Sequence, residues 1–359
     1  MKKNTDFIYL LRFVAAVLVV FKHYSPIRNV IVDNGGEAVG FFFLLSGFIL
    51  VVAYENKIAQ HKLSYMSFYV KRIARVYPLY LLALVMTLAF HFLIKSGFSN
   101  LPIKLLFELT MVQSWFYPGS INYPAWSISC EFFFYLLFPI YISKLNDIPL
   151  RSAIFKVLTI LAAMVAASYL INSFSFSFLR PDLKSGLLYE HPLFRVPIFF
   201  FGNLLGLMYI KNIWMPNRAL FLLFLAGCLA VFLWSFNPIF MGLSLKQVGL
   251  TFIYTVLIIV LLQNESFSKK YLSNKGFILL GDISYGIYLL QFPVSSFVFA
   301  FTPEMNPLPQ FWLYLSVLIG LSYVVYQYFE KPLRTKIVNV YTTSLMPKKE
   351  YAELRTPNS

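Results

Sequence analysis

The stretch Phe7-Ile8-Tyr9-Leu10-Leu11-Arg12-Phe13-Val14-Ala15-Ala16-Val17-Leu18-Val19-Val20-Phe21-Lys22-His23-Tyr24 decides how this chain is built. Eighteen residues of helix reach about 27 Å, close to the thickness of a bilayer's hydrocarbon core. Lys2 and Lys3 precede the run, as they would in a secretory signal. The run nevertheless carries Arg12, closes on Lys22, His23 and Tyr24, and offers no small-residue cleavage site, so it reads as a retained first span.

Working outward from it, nine further apolar runs bounded by charge, Pro or Gly fall at 38–54, 76–95, 125–143, 153–172, 193–210, 219–235, 247–263, 277–300 and 311–329. The runs are long and unbroken, unlike the alternating ten-residue segments of an outer-membrane barrel. The fold class is therefore an all-α integral membrane protein of about ten transmembrane helices. A piece at 102–116 carries Lys104 and Glu108, is too short to cross, and belongs at the interface or re-enters. Composition agrees: 59% of the 359 residues are hydrophobic and only 13% charged, about half the charge of a soluble protein.

An even number of spans puts both termini on one side. That side collects 21 Lys and Arg, the other seven, which makes both termini cytoplasmic. The net charge of +15 sits beside apolar spans throughout, which argues against a nucleic-acid partner. Cys130 and Cys228 lie within apolar runs and give neither a disulfide framework nor zinc spacing, so no metal site is expected and both read as packing residues. Without repeats or long linkers, residues 1–335 form one membrane domain and 336–359 a short basic cytoplasmic tail. The longest outer loop, 173–192, holds Arg180, Asp182, Lys184, Glu190 and His191, a surface for a polar partner or simply a solvated loop.

Ionisable groups inside spans mark function by default. Arg12 and His23 stand eleven positions apart, three turns plus about 20°, so they share one helix face about 16 Å apart along the axis. Lys22, at the span's end, can snorkel to water. Glu131 lies about six residues into its span, about 9 Å below the outer end and level with His23 by this count. A carboxylate there can orient an imidazole that acts as general base, or the two can lock helices together. At the inner face, Lys71, Arg72 and Arg75 serve either positive-inside bias or a polyanion such as a nucleotide-derived cofactor. Ser46 and Gly47, within Phe41-Phe42-Phe43-Leu44-Leu45-Ser46-Gly47-Phe48, serve either close helix packing or a cavity wall.

These segments resemble the acyltransferase 3 family of bacterial membrane proteins, which acylate cell-surface glycans. LRFVAAVLVVFKHY at 11–24 is similar to its Arg, ten residues, His signature; GFFFLLSGFIL at 40–50 to its Ser-Gly-Phe motif; SFYVKRIARVYPLYLL at 67–82 to its basic segment ending in Pro; AWSISCEFFFYLLFP at 125–139 to its Trp-Ser, Glu, Phe-Tyr motif. GDISYGIYLLQFP at 281–293 and FEKPLR at 329–334 match its last two spans. Members often carry His where this chain has Gln291, so no titrating role is assigned there. Many members also continue into an esterase-like domain, for which the 30 residues after Phe329 leave no room.

The resemblance implies a membrane O-acyltransferase of the bacterial cytoplasmic (inner) membrane. Acyl-CoA, acetyl-CoA first, would be a donor substrate rather than a permanently bound cofactor, held by Arg12, Arg72, Arg75 and Ser46. His23 would act as base on the acceptor with Glu131 orienting it, and Tyr123, Trp126 and Ser127 would contact the acceptor, a hydroxyl of a lipid-linked or exported glycan such as O-antigen, lipopolysaccharide, capsule or other polysaccharide. A transporter or flippase for an amphipathic lipid or sugar is the competing class, but the paired half-symmetry it favours is not visible.

Overall fold

The computed structural model describes residues 5–116, 119–173, 181–213, 215–235 and 245–345. Its backbone there is helical, and nine of its helices are long and apolar enough to cross a membrane. We number the ten spans α1 Phe7–Tyr24, α2 Ala38–Ala53, α3 Tyr65–Leu93, α4 Trp126–Asp147, α5 Leu150–Ser173, α6 Pro192–Ile210, α7 Asn217–Ser235, α8 Leu245–Gln263, α9 Lys275–Phe301 and α10 Pro307–Val325. All ten expected runs are helices. α7 packs along α8. Large apolar side chains such as Val85, Phe155, Phe221 and Leu222 face outward, as a lipid-facing surface requires.

Local chemistry sets the helix ends. Ser64 caps α3 by accepting from the Ser67 amide, and Asn274 caps α9 through the Phe277 amide. At the far end of α1, Ser25 precedes Pro26 and is extended, which stops the helix. We call the end where α1 begins proximal and the end where it stops distal.

Two close approaches tie the bundle together. A Cβ on Gly47 would stand 2.2 Å from the Phe199 carbonyl oxygen, and one on Gly202 2.0 Å from that of Leu44, so α2 and α6 touch backbone to backbone. Likewise α9 lies on α1 at Gly281, where a Cβ would meet Tyr9 Cα at 2.4 Å.

Beyond α10 the helix widens into a π turn, Tyr326–Glu330, and continues as Lys331–Val340. Pro332 explains the widening, since it donates no amide hydrogen and its ring needs room against the preceding turn. The boundary expected at 335/336 falls inside this unbroken helix, and 346–359 of the expected tail lies outside the described residues.

Two connecting segments are more deeply seated than their sequence suggests. The 102–116 piece forms helices Leu101–Leu109 and Gln113–Phe116, and Glu108 on the first is fully buried. Its carboxylate accepts from the Tyr80 hydroxyl at 2.6 Å and the Ile121 amide at 2.7 Å. Within the expected outer loop, Glu190 is buried and accepts from the Gly119 amide at 2.7 Å. It is thus a pin for the 119–125 turn rather than a solvated loop residue, while Arg180 and the side chains of Asp182 and Lys184 lie outside the described residues. Of the two cysteines, Cys130 is buried as expected, but Cys228 is exposed on the outside of α7.

Candidate active site

A cavity of 370 Å³ runs between α1, α2, α3, α4 and α9, within the range of small-molecule sites. Along α2 its lining reaches from Ala53 to Val39, about 21 Å of helix. Its chemistry changes along that length. Arg12, Arg72, Arg75, Asp282 and Arg334 line the proximal part; Ser46, Glu131, Tyr135 and Tyr285 the middle; and Val39, Phe42, Phe43, Ser127, Ile128 and Tyr288 the distal end.

The four arginines come from three separate helical segments and converge by packing. Arg12 is carried inward on α1, whose neighbour α9 brings Asp282 to the same wall. Arg72 lies against three rings, with its guanidinium carbon 5.7 Å from the Tyr54 centroid, 5.9 Å from Phe68 and 6.0 Å from Tyr135. Its buried Nε has no hydrogen-bond partner. Arg75 feels Glu330, Asp282 and the like charge of Arg12, and Arg334 feels both Arg75 and Arg72. Among the described residues none of the four forms a direct ion pair. Like charges gathered on one wall repel, and an entering polyanion relieves that cost.

Glu131 occupies the middle of the cavity. Its Oε1 accepts from Ser46 Oγ at 3.2 Å and from the Tyr135 hydroxyl, one turn along α4. Asp282 accepts from the Tyr326 hydroxyl at 2.8 Å, a bond that the π turn makes possible.

His23 stands elsewhere. Its exposed ring lies edge-on to Tyr123, with centroids 5.3 Å apart, and 6.1 Å from the ring of Tyr24. The distal lining of the cavity carries a cluster of three oxygens. The hydroxyls of Ser127 and Tyr288 are 2.8 Å apart, and each reaches the Pro124 carbonyl at 3.1 Å.

The structure therefore gathers Arg12, Arg72, Arg75, Ser46, Glu131 and Ser127 into one cavity, and places His23 with Tyr123 beyond its distal end. Two sequence expectations are corrected. Glu131 does not orient His23, because its partners are Ser46 and Tyr135, deeper in the bundle. Counting residues from the start of α4 misplaced it: the turn before α4 is itself buried at Pro124 and Ala125, so that helix begins below the distal surface. Trp126 does not line the cavity; it is buried between Phe43 and Tyr189, with Arg195 over its face at 5.9 Å. Gln291 donates to the Tyr288 carbonyl at 2.7 Å and supports α9 locally. The sequence reading did not single out Asp282, Tyr285, Tyr288 or Arg334, although the motifs 281–293 and 329–334 contain them.

The acyltransferase domain family matches residues 5–327, nearly the whole described chain. Among similar proteins, acyltransferase MdmB of Streptomyces mycarofaciens is 34% identical over 149 residues, 39% of this chain and 37% of that protein. O-acetyltransferase OatA of Staphylococcus aureus (strain MRSA252) is 22% identical over 351 residues, 90% of this chain and 56% of that protein. The chain thus aligns with little more than half, or less, of the length of these relatives. No solved structure matches it. With a family match over that extent, on a bundle of membrane-spanning helices, this chain belongs to the acyltransferase domain family.

Proposed function

We propose that this protein is an O-acyltransferase of the bacterial inner membrane, with its proximal end in the cytoplasm, that moves an acyl group, acetyl first, from acyl-CoA to a hydroxyl of a lipid-linked or exported glycan. One observation carries the reading: a cavity lined at its proximal part by four arginines, none in a direct ion pair among the described residues, runs to an aromatic distal end, and the helix that contributes Arg12 carries His23 near its far end. CoA is a polyanion with a long, weakly polar arm and a small acyl end, so the gradient matches it from end to end. The acetyltransferase naming of relatives such as OatA supports acetyl as the group.

In this reading Arg12, Arg72, Arg75 and Arg334 hold the phosphates, where planar guanidinium forks suit phosphate oxygens better than ammonium groups do. Ser46, Glu131 and Tyr135 meet the amides of the arm, a role on the donor in place of one on His23. At the distal end, His23 accepts the proton of the acceptor hydroxyl as its oxygen attacks the thioester carbonyl. The carbon–sulfur bond then breaks, and the proton passes to the CoA thiolate. Tyr123 flanks His23 and offers an aromatic face to a sugar, whose apolar ring faces stack on such groups. A transporter would have no need for an exposed imidazole held between two tyrosines at the end of such a cavity. The reading is tested by acyl-CoA binding and acyl transfer in nanodiscs: wild type should do both, Arg12→Ala should lose binding, and His23→Ala should bind but not transfer. Absence of acyl-CoA binding by wild type would overturn it.

A further inference from the structure

The distal end of the cavity is closed by a built wall, and that wall has a size. Tyr288 is buried on α9, with its ring 5.8 Å from that of Phe42 and its hydroxyl fixed by Ser127 and the Pro124 carbonyl. Ser127 is buried too, and Phe43 and Ile128 complete the lining. Each hydrogen bond here is worth only about 1 kcal/mol, but together they hold an otherwise rotatable ring in place in the distal lining of the cavity. Phe43 is itself braced by Trp126 at 6.1 Å and Phe134 at 5.3 Å, so the side walls cannot retreat without repacking the core.

Resting on the donor assignment above, we infer that Tyr288, tethered by Ser127 and Pro124, is the residue that sets how long an acyl chain the enzyme accepts. With the phosphates anchored among the arginines, the arm is of fixed length, so the acyl group comes to rest at a fixed depth. A short acyl group fits ahead of the Tyr288 ring, whereas each added methylene presses on it.

The experiment measures binding of CoA and of acetyl-, butyryl-, hexanoyl- and octanoyl-CoA to wild type, Tyr288→Ala and Tyr288→Leu in nanodiscs, each acyl affinity being divided by that of CoA for the same variant. Wild type should favour acetyl and fall off with length. Both variants should shift the profile to longer chains, because a methylene given apolar space gains about fourfold in affinity; hexanoyl-CoA should improve tenfold or more relative to wild type. Should neither variant be recovered folded, Phe42→Ala, which opens the opposite side of the same wall, should give the same shift. Unchanged length profiles in the variants that fold, with CoA still bound, would overturn the inference and leave the donor assignment standing. Failure of wild type to bind any acyl-CoA would overturn the donor assignment itself.

Discussion

Replacing Arg12 with alanine tests the cavity at its most crowded point. Arg12 stands within electrostatic reach of Arg75, Glu131 and Asp282, and among the described residues it has no direct ion pair of its own. A charge-assisted hydrogen bond contributes about 1.5–3 kcal/mol, so losing one bond to phosphate should weaken CoA binding about 10- to 150-fold. Removal also leaves Glu131 and Asp282 facing the anion with less compensation, which pushes the loss toward the upper end. Arg12→Lys keeps the charge but not the two-pronged geometry and should fall between wild type and alanine. Calorimetric titration of CoA into nanodisc-embedded protein gives the numbers, with thermal stability as a check on folding. A dissociation constant for Arg12→Ala within twofold of wild type would refute the reasoning and make Arg12 structural.

Other outcomes follow from the same geometry. The neutral form of His23 is the reactive one, so transfer should fall once external pH is low enough to protonate the imidazole; Glu131→Gln should leave that acid limb in place, and a moved limb would restore Glu131 to His23. Gly47→Val drives a side chain into the Phe199 carbonyl and should lower the melting temperature by several degrees or prevent folding, as read by thermal scanning in detergent. A cysteine at Ile27, on the exposed distal turn, should react with an impermeant maleimide from outside, and one at Lys57 only from the cytoplasm. Reversed labelling would invert the direction of transfer.

The spans were legible because hydropathy alone determines which runs can sit in lipid, and Arg12 and His23 do share one helix, although only Arg12 lines the cavity. The shared cavity was less legible. Asp282 reaches it on α9, which lies against α1 at Gly281, and Arg334 on the helix that follows the π turn, neither of which hydropathy encodes. Glu131 was assigned the wrong partner because residue counting assumes that every span starts at the membrane surface, and α4 does not. Glu108 and Glu190 read as loop and interface charges, yet both are buried acceptors for backbone amides of the turn that carries Tyr123. Ser46 and Gly47 had two open readings, and adjacent positions on α2 satisfy both: Gly47 packs against α6 while Ser46 faces the cavity.

Acyl transfer across a sided membrane bears most directly on the division of labour between the cavity and His23. In proteoliposomes with labelled acetyl-CoA supplied only at the proximal side and a glycan acceptor only at the distal side, wild type should acetylate the acceptor. His23→Ala should bind acetyl-CoA normally and transfer 10²- to 10⁴-fold more slowly, the usual contribution of a general base. Transfer by His23→Ala within a few-fold of wild type, or transfer only when donor and acceptor share one side, would contradict a donor cavity and an acceptor base working from opposite ends of one helix.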